Sequence, residues 1–275
     1  MVAMVVHTPM AVPMAPLGGG EFIVDSFRIE RVIAERTVDC VAERVRATGA
    51  EANPLVVQGD TASELLDLIH RADFDLVASG TSMESTLKAF FLGSVSRKLT
   101  LYSECSALVA RPFRHEQKEG SAERLRTKPK LDLLIAVDGS PGSASTVESL
   151  ANLTSSPFRT VHVVSVAPAG ALPNNDRISA ETDNLSAEAQ PFADIAKAAA
   201  SQIQACADHV EAHVACGRPS PEIVRAAEEE DIDLIVMGAT RHGAIERLLL
   251  GSCAYETVAG APCSVLVLRR PIAFA

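Results

Sequence analysis

The residues best suited to chemistry gather where apolar runs end. "LDLLIAVDGS" (131–140) closes on Asp138, Gly139 and Ser140, and "DLIVMG" (233–238) closes on Met237 and Gly238. The stretch that follows, "ATRHGAIERLLLGS", ends on Gly251 and Ser252. A glycine after a buried strand lets the backbone turn close to a ligand. A Gly-Ser pair ahead of a helix sets amides and a hydroxyl at a helix N-terminus, where the dipole and the donors both favour phosphate. Arg241, inside the loop, carries a guanidinium able to neutralise phosphate oxygens. A plainer alternative exists for each group. Asp138-Gly139 is a common turn pair, Gly251-Ser252 can serve as a helix N-cap, and Arg241 can be a solvated loop charge.

Other chemistries find little support. No G-x-S-x-G elbow occurs, and no Walker lysine follows the glycines. Neither a carboxylate pair nor a histidine-centred constellation suggests a general acid and base, so the chain is not expected to be an enzyme. Its six cysteines form no C-x-x-C pair and no zinc-ligand spacing. His209 and His213 are four apart, but "HVEAHVAC" alternates like a strand, so no metal site is expected there. The net charge of −10 argues against a nucleic-acid partner, which needs a dense basic face. No apolar run is long enough to span a bilayer. The apolar start lacks a basic leading region and is interrupted by His7, Pro9 and Pro13, which makes a poor signal peptide. A soluble, cytoplasmic protein with buried, reduced thiols is the expectation, Cys105 and Cys263 among them.

The elements that hold these residues repeat. A shift of 158 residues places Gly59 on Gly217, Glu64 on Glu222, Asp73 on Asp231 and Asp75 on Asp233. The same shift pairs Gly80 with Gly238, Gly93-Ser94 with Gly251-Ser252, and Cys105-Ser106 with Cys263-Ser264. Arg111 falls on Arg269, and no gap is needed from Gly59 onward. This is a tandem duplication. We divide the chain into a first copy (1–112), a charged linker (113–130) and a second copy (131–270).

In the second copy, strands are expected at "LDLLIAV", "TVHVVSVAP", "VEAHVAC", "DLIVMG" and "SVLVLR". Helices are expected at Ala144–Leu153, about Glu188–Cys206, "EIVRAAEEE" capped by Ser220-Pro221, and "CAYETVAG". Strands alternating with helices imply a parallel sheet covered on both faces. In the first copy, Val5-Val6 falls on Val163-Val164, so nothing there corresponds to "LDLLIAVDGS".

With "IAVDGS", "VMG", "LLLGS" and "APCSVLVLR" in this order, the chain resembles the universal stress protein family. The resemblance implies an α/β fold of two tandem five-stranded parallel-sheet sandwich domains, of the adenine-nucleotide alpha-hydrolase type, the first lacking its first strand. It also implies self-association through the final strands, either between the two halves of one chain or as a homodimer. It further implies ATP as ligand. Asp138 would face the adenosine part, Val166 and Met237 would contact the base, and Ser140 would sit in the adjoining loop. The phosphates would lie at Gly238, Gly251 and Ser252.

Nucleotide-binding relatives carry G-x-x-G, nine residues, then G-S/T. The second glycine of that pattern is Arg241 here, and Met83 in the first copy. Only the second copy is therefore expected to bind. Three functions follow: an ATP-binding stress-response protein acting through an unidentified protein partner, a nucleotide-free interaction module with decayed sites, or a slow ATP hydrolase. In this family strand one lies between strands two and four. Its absence leaves three expectations: a start upstream of Met1, closure of strands two and four on each other, or another chain in the gap.

Overall fold

The computed structural model describes residues 1–7, 20–81, 92–111, 130–153, 155–172, 177–181, 185–239 and 250–270. Two compact units result, Met1–Ala72 and Asp73–Ala275.

In the first unit, β1 (Val2–His7) and β2 (Pro54–Gly59) pair in parallel as a two-stranded sheet, with Val5 opposite Val57. The helix between them, α1 (Gly20–Arg46), buries Ala34, Val38 and Ala42 at a four-residue spacing, one stripe of the helix. Asp60 accepts from the amide and hydroxyl of Ser63 (3.0 and 2.7 Å) and so caps α2 (Thr61–Ala72).

The second unit is built on an eight-stranded sheet. In chain order its strands are β3 (Leu76–Gly80), β4 (Ser106–Ala110), β5 (Leu131–Ala136), β6 (Phe158–Ala167), β7 (Ile178–Ser179), β8 (Ala207–Cys216), β9 (Leu234–Gly238) and β10 (Ser264–Leu268). In space they run β3-β4-β10-β9-β5-β6-β8-β7. Strands β10-β9-β5-β6-β8 form the parallel five-stranded sheet of the second copy, with β5 at its centre. Strand β5 explains why the run "LDLLIA" is apolar throughout. Leu133 and Ile135 enter one core with Val161, Val163, Val147 and Ala196, while Leu134 enters the opposite core with Val164, Ile223 and Val258. Both faces are covered by helices, so strand alternation disappears. The helices are α3 (Ser94–Tyr102), α4 (Pro141–Ala151), α5 (Gln190–Gln202), α6 (Pro219–Glu229) and α7 (Ser252–Gly260). Among the described residues no helix is long and apolar enough to cross a membrane.

The duplication survives in backbone detail. Asp73 and Asp231 both adopt left-handed conformations (φ 45° and 52°) after equivalent helices. The copies meet where β4 and β10 pair antiparallel, with Leu108 opposite Leu266. Two buried arginines extend this pairing reciprocally. The Arg111 guanidinium donates to the Val258 and Cys263 carbonyls (2.5 and 3.4 Å), at the end of α7 and just beyond it. The Arg269 guanidinium donates to the Thr100 and Leu101 carbonyls (2.6 and 3.2 Å) in the last turn of α3. Cations at these helix C-termini meet the negative end of the dipole. Each arginine amide also donates to a serine of the other copy, Ser264 or Ser106, at 3.1 Å. Self-complementary exchange of this kind is the signature of a two-fold.

Several element bounds differ from the sequence reading. Helix α4 starts at Pro141 because Ser140 caps it, accepting from the Ser143 amide (3.3 Å), and Pro141 fits the first position. Helix α6 starts at Pro219, not after a Ser220 cap. Arg218 occupies the cap position without a side-chain bond, since Pro219 presets φ one step earlier. Helix α5 stops at Gln202, and Gln204–Cys206 tightens into a 3₁₀ turn. Strand β7 was not foreseen; two residues antiparallel to β8 offer no periodicity to read.

Candidate functional site

At the carboxyl ends of β5, β6 and β9 a cavity of about 120 Å³ opens. Strand β5 delivers Ala136, Val137 and Asp138, strand β6 delivers Val164 and Val166, and β9 delivers Met237 and Gly238. Ser140 and Ser143 come from the start of α4, Pro219 and Ile223 from α6, and Cys253 from α7. Aliphatic walls with a polar rim are the make-up of a small-molecule site.

The rim is an ordered turn. Gly139 takes φ 76°, and the Ser140 amide donates to Asp138 Oδ1 at 2.9 Å. This is an Asx turn, so Asp138 does serve the turn that its neighbour Gly139 suggests. The Ser143 hydroxyl donates to the Ser140 carbonyl (3.0 Å) and lies 3.4 Å from the Asp138 amide. Burial acts to raise the Asp138 carboxyl, but hydrogen bonds from Ser140 and Ser143 outweigh it and hold the group below the usual carboxylate range. It is therefore an anion at neutral pH, and its contacting oxygen is an acceptor for a hydroxyl or amino group, not a partner for phosphate.

Gly238 has a packing reason of its own. A Cβ there would sit 2.5 Å from both the backbone carbon and oxygen of Gly142, in the first turn of α4. A Cβ at Gly142 would in turn sit 2.8 Å from the Ala239 carbonyl oxygen. The two glycines let α4 descend onto the end of β9, which shapes the cavity floor. Gly142 was not singled out in sequence, although "DGSPGS" places it four residues after Asp138.

Five of the residues picked from sequence line this cavity: Asp138, Ser140, Val166, Met237 and Gly238. Gly251 and Ser252 do not. Gly251 is the N-cap residue of α7 with φ −60° and ψ 149°, a conformation open to any residue, and no side-chain cap bond forms. Ser252 opens the helix and is exposed. The residue of α7 that reaches the cavity is Cys253, whose thiol is pushed up by burial and by nearby Asp138. Arg241 and its counterpart Met83 lie outside the described residues. Ser143, Val164, Ile223 and Cys253 were missed in sequence. Only Ser143 and Cys253 left a signal, as direct neighbours of the motifs.

The model of the family described as "Universal stress protein family" matches residues 3–111 and again 132–269. A universal stress protein of Methanocaldococcus jannaschii is 30% identical over 142 residues, which cover 50% of this chain and 82% of that protein. The crystal structure of a universal stress protein from Archaeoglobus fulgidus is similar over 98% of this chain and 87% of that chain, at 19% identity and TM-score 0.59. One from Pseudomonas aeruginosa is similar over 97% and 91%, at 16% identity and TM-score 0.58. Matched twice along its length by the same family, once in each copy, this chain belongs to the universal stress protein family.

Proposed function

We propose that the second copy binds ATP, and that occupancy alters the surface it offers to a protein partner. One observation carries the reading: five residues chosen from sequence as nucleotide contacts line a single cavity. Its position adds support. Open α/β sheets take ligands beyond the carboxyl ends of their strands, where the chain leaves to opposite sides, here around β5. The cavity is smaller than the roughly 300–1,000 Å³ of a whole-ligand pocket, so it suits the base. Ribose would meet Asp138, and phosphates would run outward toward the amides at the start of α7. We assign the first copy no ligand, since Met83 stands at the second glycine position of its loop and cannot neutralise phosphate.

We read the protein as a binder and not an enzyme. Asp138 is held by its own turn, and no second carboxylate or histidine stands among the described lining residues. A cytoplasmic setting agrees with six free thiols.

Freshly purified protein, denatured by heat, should release adenine nucleotide, and equilibrium dialysis with labelled ATP should show one site per chain. An Asp138→Ala variant should lose most of that binding. No binding at millimolar ATP by the intact, folded protein would remove the proposal.

A second reading, a nucleotide-free interaction module, is favoured by the packing role of Gly238, which would keep that glycine without any ligand. Arg241→Gly separates the two. Affinity gained from nothing supports decay, and affinity lost makes Arg241 a phosphate ligand.

A further inference from the structure

His162 lies in the middle of β6 and is 6% exposed, yet its Nδ1 has no hydrogen-bond partner. A buried polar nitrogen left unpaired is costly and calls for an explanation. The pairing of β6 with β8 sets His162 opposite Glu211 and Val164 opposite His213. Alternation along the strands then brings His162, Glu211 and His213 to one face. Glu211 Oε2 stands 3.7 Å from His162 Nδ1 and 3.2 Å from His213 Nε2. One ligand atom from each of the three lies within 4.8 Å of the others. Donors bound tetrahedrally at about 2.0–2.1 Å sit about 3.4 Å apart, close to the two separations from Glu211.

We propose that His162, Glu211 and His213 form a divalent transition-metal site of the two-histidine, one-carboxylate type. Nitrogen and carboxylate donors suit zinc and its neighbours, and exposed Glu211 leaves the remaining position open to water. The local charge favours a cation. Beside the cluster Arg177 pairs with Glu230 and lies 3.7 Å from Glu229, so its charge is already offset by two carboxylates and the Glu211 charge remains for a cation. The rings now stack, with centroids 5.6 Å apart and planes 18° from parallel. Near-parallel rings do not aim their lone pairs at one point, so binding turns at least one ring out of the stack. Sequence reading dismissed a helical pair of His209 and His213; the third donor comes from a different strand, 51 residues before His213.

The test uses the full chain, stripped with chelator and kept reduced, with cobalt(II) as the spectroscopic probe and zinc(II) as competitor. Visible d–d bands saturating at one equivalent and abolished by zinc are expected. Glu211→Gln and His213→Gln should each weaken cobalt binding at least tenfold, while His209→Gln, on the same strand, leaves it unchanged. Near-ultraviolet thiolate bands would assign the metal to cysteine and overturn the proposal. So would equal affinity in all variants, or no bands at millimolar cobalt. Should a variant fail to fold, histidine ring resonances of the unaltered protein decide. Zinc must shift those of His162 and His213 and spare His209; any other pattern sinks the site.

Discussion

Gly80 and Gly238 end equivalent strands in the two copies, yet they live in different surroundings. Gly238 touches the backbone of α4 so closely that no side chain fits, whereas a Cβ at Gly80 would meet nothing within 4 Å among the described residues. Among the described residues nothing stands over Gly80 as α4 stands over Gly238. One glycine is held in place by its neighbour, and the other meets no such neighbour among the described residues. A motif glycine is thus no proof of a ligand site. It reports a close approach, and only the surrounding chain says of what.

The sharpest way to break that contrast is to give both glycines a methyl. Gly238→Ala should cost about 1–3 kcal/mol or more, because the obstacle is backbone, and Gly80→Ala should stay within about 0.5 kcal/mol. Thermal or urea unfolding of the two variants measures this, and equal losses would end the comparison.

Where the copies do agree, removal should cost the same. Arg111→Ala and Arg269→Ala each strip hydrogen bonds from helix-end carbonyls, and each should cost roughly 1–3 kcal/mol. A large difference between them would show that the two-fold is one of shape and not of energy.

Thiol labelling at pH 8 gives a finer view. Exposed Cys40 should react fast and half-buried Cys253 slowly. Buried Cys263, pushed up to about 12 by loss of solvent, and its counterpart Cys105, raised for the same reason, should stay silent until the protein unfolds.

The smallest effect is electrostatic. The depressed Asp138 carboxyl contributes stability that is present above its unfolded value, about 3.9, and is lost as pH falls through its lower folded one. The stability gap between the natural protein and Asp138→Asn should therefore close on acidification. It should stay under about 1 kcal/mol, because the group is exposed.

Much of this was legible in the residues themselves. The 158-residue register was readable because Asp73 and Asp231, Gly80 and Gly238, and the final strands each hold a defined backbone place. Strand β5 was readable because burial on both faces demands a continuous apolar run. What stayed hidden depended on contacts distant in sequence. The Gly142–Gly238 approach spans 96 residues, and the His162–Glu211 pairing needs the β6–β8 register. The repeated arginine after each final strand was visible, but its reach into the opposite helix was not. The start of α6 went astray because two prolines in "RPSPE" both suit a first turn, and sequence alone did not choose between them.

The antiparallel seam of β4 and β10 has a further consequence. Two halves joined by one polypeptide do not obey mass action, so dilution cannot part them and their ratio is always one to one. Each of the two seam edges is occupied by the other within the same chain. A half that changes therefore stays tied to its sibling, and the two can diverge in role without separating.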